Sequence, residues 1–351
     1  MDKLKTILYF GTYDPNYSRN RVLIKGLRQN GIQVLECNDR SKSFFKYINL
    51  FFKYLKFINK FDAMIVGFPG QEVMLLARLL TRKRIIFDAF TSHFGGYVLD
   101  RGKHKPNSLM AKWYKWIDRK SVLLSDVALL DTDAHIDFFV REFGLPKKKF
   151  IRVFVGTDSD VFYPRNIQKN TDAFLVHFHG NYIPLQGVEY IVRAAKLLEN
   201  ENIVFNLIGK GQTYNKVLDI AKKLNVENIN FIDRVSYEKL SDFINEADVC
   251  LGIFGKTVKT NLVIPNKVFE AVACNKPVIT AQTSAAKELF QDRQNVLFCN
   301  QADENDLAKK IMELKNDHEL RTRIAAGGFN VFSECLTEKY IVSELLLKIW
   351  K

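Results

Sequence analysis

The feature that most limits what this chain can fold into is an alternation of short apolar runs with longer amphipathic stretches. In the second half the runs are VFNLIG (204–209), INFID (229–233), VCLGIF (249–254), PVITA (277–281) and VLFCN (296–300). QTYNKVLDIAKKLN, SYEKLSDFINEA and AAKELF stand between them with helical periodicity. Strands that are apolar throughout need cover on both faces, so the pattern predicts parallel sheets flanked by helices. The first half repeats the scheme more loosely, with KTILYF, IQVLEC, AMIVGF, RIIFDAF and VALLDT as strands. The expected class is α/β.

A length of 351 residues accommodates two such domains, each with its own core. Apolar periodicity lapses in TDSDVFYPRNIQKN (157–170), which contains Pro164. The expected division is a first domain over 1–165 and a second over 166–336. The closing segment, EKYIVSELLLKIWK, reads as a helix with no strand after it.

Charge is unevenly placed. Residues 1–165 hold 29 Lys+Arg against 16 Asp+Glu, and residues 166–351 hold 23 of each, so the whole excess of +13 sits in the first half. That half is therefore expected to meet a polyanion, either a nucleic acid or an anionic membrane surface. No recognised nucleic-acid module is apparent, so nucleic acid is not the expected partner. The N-terminal apolar run is too short for a secretory leader, and no apolar window approaches 18 residues. Five scattered cysteines without a C-x-x-C pair argue for a reducing cytoplasm and against a structural zinc. No metal-ligand spacing is evident, so no metal is expected.

Open parallel sheets bind ligands at the carboxyl ends of their strands. One such place is VIPNKVFEAVACNKPVIT (263–280). Pro265 suits the start of a helix, and Asn275 and Pro277 mark its end. Asn266 and the first free N–H groups there form an anion site, to which Lys267 adds a full charge. Lys267 and Glu270, three residues apart, share one helix face. They read either as the diphosphate and ribose contacts of a nucleotide or as an ordinary surface ion pair.

PNKVFEAVACNKPVI resembles the nucleotide-sugar-binding motif of family 4 glycosyltransferases, and HGNYIPLQGVEYIVRAAKLL (179–198), FNLIGKGQ (205–212) and INFIDRVSYEKLSDFINEADVCLGIF (229–254) follow that family's order. The resemblance implies the GT-B fold, two Rossmann-like domains whose parallel sheets face across a cleft, with the final helix (337–351) packing back on the first domain. It implies transfer of a sugar with retention, no resident cofactor or metal, and Glu270 on the ribose. Gly180, Asn181, Gln186, Gly187, Gly209, Lys210, Arg234, Pro265, Asn266 and Lys267 fall to the donor. Gly11, Arg19 and His93 fall to the opposing wall, with His93 and Glu270 as catalytic candidates. Many members have a second glutamate eight positions before the last, where this chain has Leu262, and an Arg and a Lys where it has Asn181 and Gln186. Lys267, Lys210, Arg234, Lys256 and Lys259 are the available cations.

A further feature is KSFFKYINLFFKYLKFINK (42–60). Wound as a helix, Lys42, Lys46, Asn49, Lys53, Lys56 and Lys60 fall in an arc of roughly 80°. Nearly all the rest is apolar, whereas a surface helix needs an apolar stripe only somewhat over 100° wide. Part of that surface is expected to pack on the sheet. The remainder, with Phe52 and the lysines, suits an anionic bilayer interface. Trp113 and Trp116 in KWYKWIDRK are expected to join it. The alternative is a buried helix with a solvated lysine edge.

The reading is a cytoplasmic glycosyltransferase, peripheral on the inner face of the cell membrane. It would pass a sugar from a nucleoside diphosphate to a lipid-linked or cell-surface glycan. The rivals are a degenerate relative that binds without chemistry and a nucleotide-sugar epimerase.

Overall fold

The structure is a computed structural model and describes residues 5–41 and 43–349. The chain divides into two compact units. One comprises residues 1–98, 102–156 and 337–351, the other residues 99–101 and 157–336. The division after Gly156 comes nine residues before the sequence-based boundary. The intervening segment packs on the second unit: Ser241 Oγ donates to the Val161 carbonyl at 2.7 Å, and Phe162 meets Tyr237 edge-on at 4.9 Å.

The first unit runs β1 (Thr6–Gly11), α1 (Ser18–Gln29), β2 (Gln33–Asn38), α2 (Phe45–Leu55), β3 (Ala63–Val66), α3 (Met74–Leu80) and β4 (Arg84–Phe90). A π-helical turn, Phe94–Asp100, precedes α4 (Leu109–Leu124), β5 (Val127–Leu130), α5 (Asp133–Phe143) and β6 (Phe150–Arg152). Its parallel strands lie in the order β2-β1-β3-β4-β5-β6. Crossovers between parallel strands are right-handed. The chain steps one way from β1 to β2 and the other way at every later crossing. α1 therefore covers one face of the sheet, and α2 to α5 cover the other.

The second unit runs β7 (Phe174–His179), α6 (Val188–Leu197), β8 (Ile203–Ile208), α7 (Tyr214–Lys223), β9 (Ile229–Ile232), α8 (Tyr237–Glu246) and β10 (Val249–Leu251). Then come α9 (Asn266–Ala273), β11 (Val278–Ala281), α10 (Ser284–Lys287), β12 (Leu297–Cys299), α11 (Glu304–Asn316) and α12 (His318–Cys335). Its parallel order is β12-β11-β10-β7-β8-β9. The last described helix, α13 (Glu338–Ile349), belongs to the first unit, where Ile341, Val342, Leu345 and Ile349 join the core of Val22, Leu23 and Leu27.

Each sheet has one place where strand order reverses, and the loops leaving the two neighbouring strands part there to open a crevice. In the first unit that place lies between β1 and β3, in the second between β7 and β10. These two crevices are where ligands can reach backbone.

Candidate functional site

The second crevice is bounded by the loop after β7 and by α9. Pro265 is the N-cap of α9, with no side-chain cap and no acidic residue in the first turn. Its first amides are thus left for an anion. The helix ends as its sequence directs: Asn275 takes a left-handed φ of 56°, and the amide of Lys276 reaches back to the Ala271 carbonyl.

Lys267 and Glu270 are 5% and 4% exposed, so they are not the surface pair that their spacing permits. Nor do they pair with each other. Lys267 Nζ donates to Gln186 Oε1 and lies 3.8 Å from the centroid of the Phe178 ring. Burial pushes its ammonium well below the ordinary lysine value, with Glu270 pulling the other way. Glu270 Oε2 stands 2.6 Å from His179 Nε2. The helix thus presents a buried cation and a buried anion one turn apart, each held by a different neighbour.

Gly180 is the floor beneath the cation. Its φ is 149°, and a Cβ there would stand 3.1 Å from Lys267 Nζ. Gly209 abuts it, since a Cβ on Gly209 would meet the Gly180 carbonyl at 2.1 Å. Asn181 accepts from Arg234 at 2.9 Å, and Lys210 pairs with Asp233 at 2.6 Å on the surface. His179, Gly180, Asn181, Gly209 and Arg234 surround a cavity of about 280 Å³. Gly187 starts α6 with a φ of 64°, packed on the Gly255 amide. The donor residues expected from sequence therefore gather at one crevice of the second unit.

In the first unit, Thr12, Pro69 and Gln71 from the reversal point share a cavity of about 360 Å³ with Arg40, Lys46, Glu72 and His93. Gly11 ends β1 beside it, with a φ of 137°. Asp118 fixes the His93 loop: its carboxylate accepts from Ser92 Oγ at 2.7 Å and from the amides of His93 and Phe94. His93 Nδ1 is buried without a hydrogen-bond partner.

Residues 162–331 match the protein-family model described as Glycosyl transferases group 1. The whole chain superposes on Anabaena HepE, solved in complex with UDP and glucose, at a TM-score of 0.73 and 13% identity, covering 99% of this chain and 100% of that one. The fold is GT-B, and residues 162–331 carry the match to the group 1 glycosyltransferase model. Among curated proteins, the chain is 26% identical to an uncharacterized glycosyltransferase, MJ1178, of Methanocaldococcus jannaschii over 56% of this chain and 52% of that one. It is 24% identical to the lipopolysaccharide core biosynthesis glycosyltransferase LpsE of Rhizobium meliloti over 71% of this chain and 82% of that one. The chain spans about half the length of MJ1178 and of two other curated relatives.

Two expectations for this GT-B protein need correction. Arg19 does not line a ligand site. It is 0% exposed, binds Asp88 at 2.9 Å, and donates to the carbonyls of Val153 and Phe154. A guanidinium so enclosed ties β4 to the strand-end loop after β6. Lys46 and Lys53 do not stand unpartnered toward solvent either. Lys46 is paired with Glu72 at 2.8 Å, and Lys53 binds Asp39 and the Asn38 carbonyl. Lys42 lies outside the described residues. The lysine stripe does not extend to Lys60, because α2 ends at Leu55 and Asn59 turns left-handed.

The apolar surface of α2 divides as its width requires. Leu50 and Tyr54 are buried inward. Phe44, Phe45, Ile48, Phe51, Phe52 and Leu55 are exposed, Phe44 at 75%. At about 100° per residue those six fill an outward arc of roughly 120°. The neighbouring helices on that sheet face extend it. Leu75 and Leu79 of α3 are exposed, the latter at 77%, as are Leu109 (84%), Met110, Trp113 and Trp116 of α4. Trp113 and Trp116 stack at 5.0 Å. Sequence reading missed Leu75, Leu79 and Leu109, because their exposure depends on which faces of α3 and α4 the sheet covers. It also missed His177 and His179, whose partner lies 91 residues away.

Proposed function

We propose that this protein transfers a sugar from a nucleoside diphosphate to a lipid-linked or cell-surface glycan, with retention at the anomeric carbon. One observation carries the reading. Lys267 and Glu270 are buried one turn apart at a strand-order reversal, unpaired with each other. Buried charges lacking a direct counter-ion are costly unless a ligand completes them. A diphosphate supplies the anion that Lys267 and the α9 amides lack, and the ribose diol supplies donors to Glu270. The base then falls toward the cavity by Arg234. HepE, of like fold, was solved with UDP, which supports the same class of donor.

In this reading the departing diphosphate is stabilised by Lys267 and the helix N-terminus, which face it before the bond breaks. The acceptor belongs to the first unit, in the cavity holding His93, Arg40 and Lys46. The apolar face of α2, α3 and α4 rests on the anionic cytoplasmic surface of a membrane, as a lipid-linked acceptor requires. Among the described residues no helix is long and apolar enough to cross it.

Leu262, 7% exposed, stands where many relatives have a glutamate, and it favours a second reading, a binding protein without transfer. Thermal stability with UDP, GDP, dTDP and CDP tests the donor site first. One nucleotide should stabilise the protein by ~2.7 kcal/mol at about 100 times its Kd. Lys267→Ala should abolish the shift. No shift with any of the four overturns the donor site. A shift without release of nucleotide from its sugar conjugates, with acceptor extracts present, favours binding alone.

A further inference from the structure

β7 ends in His177, Phe178 and His179, and alternation along a strand puts both histidines on one face. His177 Nε2 lies 2.9 Å from His179 Nδ1, and His179 Nε2 lies 2.6 Å from Glu270 Oε2. The three form a buried line leading to the carboxylate. His177 is 2% exposed, and its Nδ1 has no partner. A proton on that nitrogen would be an orphaned buried donor, costing on the order of 1–3 kcal/mol. The proton therefore sits on Nε2 and points at His179 Nδ1. That in turn makes His179 Nδ1 the acceptor and His179 Nε2 the donor to Glu270. Burial drives the His177 imidazole well below its ordinary value, so it stays neutral. The direction of the chain is set at its blind end.

We propose that His179 is the positioning residue for Glu270: it occupies Oε2, leaves Oε1 to accept from the ribose, and so makes recognition of the 2′-hydroxyl depend on a histidine that is oriented by His177. The inference rests on the donor site proposed above. Glu270 has no other side-chain hydrogen bond among the described residues. Without His179 the carboxylate would be left without a donor, free to turn toward Lys267 or take up a proton. Either change removes the acceptor for the diol and leaves the diphosphate contacts in place.

The test is calorimetric binding of UDP and 2′-deoxy-UDP to the full chain, or of GDP and 2′-deoxy-GDP if the nucleotide panel selects guanine. Wild type should prefer the ribonucleotide about tenfold or more, because the site is built to bond a hydroxyl. His179→Gln, whose amide can still donate to Glu270, should keep most of that preference. His179→Phe should bring the ratio to within about twofold while 2′-deoxy-UDP binds as to wild type. A disturbed fold would weaken both nucleotides together and would not change the ratio. Should His179→Phe not fold, His177→Phe removes the tautomer lock and should lower the ratio several-fold. Retention of the ratio in His179→Phe, or equal loss of both nucleotides, overturns the positioning role while the donor site stands. No ribonucleotide preference in wild type overturns the ribose assignment and this inference with it.

Discussion

Lys267 is the residue on which the donor site and the stability of the second unit pull in opposite directions. Its folded-state pKa is lowered by burial, while the unfolded lysine keeps its ordinary value near 10.5. Between those two values the unfolded chain holds a proton that the free folded protein has lost. Stability without nucleotide should therefore rise with pH through that window. Nucleotide binding has the opposite sign. A diphosphate needs the ammonium, so binding takes up a proton and affinity should fall as pH rises, by up to about tenfold per unit. Lys267→Met should remove both dependences, lose diphosphate binding, and leave the free protein at least as stable as wild type, by as much as ~1 kcal/mol. Denaturant melts over a pH series below 10.5 read the first effect, and titration calorimetry over the same series reads the second. An affinity that rises with pH would show that Lys267 is not the diphosphate contact. The sequence shows the Lys267–Glu270 spacing, but spacing alone does not separate a surface pair from two buried charges. The difference lies in Gln186 and His179, 81 and 91 residues away. Arg19 misled for the same reason: its partner Asp88 is 69 residues distant.

At the scale of elements, what the sequence shows depends on whether a segment's neighbours are local. The second-unit strands were readable because burial on both faces leaves them apolar throughout. The α9 stop was readable because Asn275 and Pro277 act on their own backbone. α2 was readable only as an excess: its circumference is more apolar than one sheet face can cover. The surplus emerges as the outward arc, and α3 and α4 continue it on the same side of the sheet. Exposed apolar surface this broad is unusual on a soluble protein and marks a contact. Lysines beside it favour an anionic bilayer, each adding on the order of 1 kcal/mol near the surface. On the bilayer reading proposed above, Lys56 is expected to carry more of that role than Lys46 or Lys53, which are paired with Glu72 and Asp39. The protein should float with vesicles of equal parts phosphatidylglycerol and phosphatidylcholine and much less with phosphatidylcholine alone. Phe45→Asp with Phe52→Asp should reduce flotation at least tenfold, and Lys56→Glu several-fold, with nucleotide binding unchanged. Flotation unaffected by the paired aspartates would remove the bilayer from this face and leave a protein partner as its cover.

For the whole molecule, the consequence of topology is that the chain leaves the first unit at Gly156 and returns to it at Thr337. α13 therefore closes a core whose α1 members, Val22, Leu23 and Leu27, lie more than three hundred residues earlier in the chain. The seam is tight. Lys25 pairs with Glu338 at 2.7 Å, Asn30 donates to the Lys339 carbonyl at 2.9 Å, and Gly26 lies against the start of α13. A Cβ on Gly26 would stand 2.3 Å from the Glu338 carbonyl oxygen and 2.5 Å from a Val342 methyl. Backbone cannot yield as a flexible side chain does, so Gly26→Val should push α13 off α1 and cost about 2 kcal/mol or more. The proposed donor residues belong to the other unit, on the loops after β7, β8 and β9 and on α9. Differential scanning calorimetry should then show two transitions. Nucleotide should raise one, and Gly26→Val should lower the other without changing nucleotide affinity. If both perturbations move one shared transition, the units unfold together and the seam is not a property of the first unit alone. If Gly26→Val weakens nucleotide binding at a temperature where the chain is folded, α13 does more than close a core.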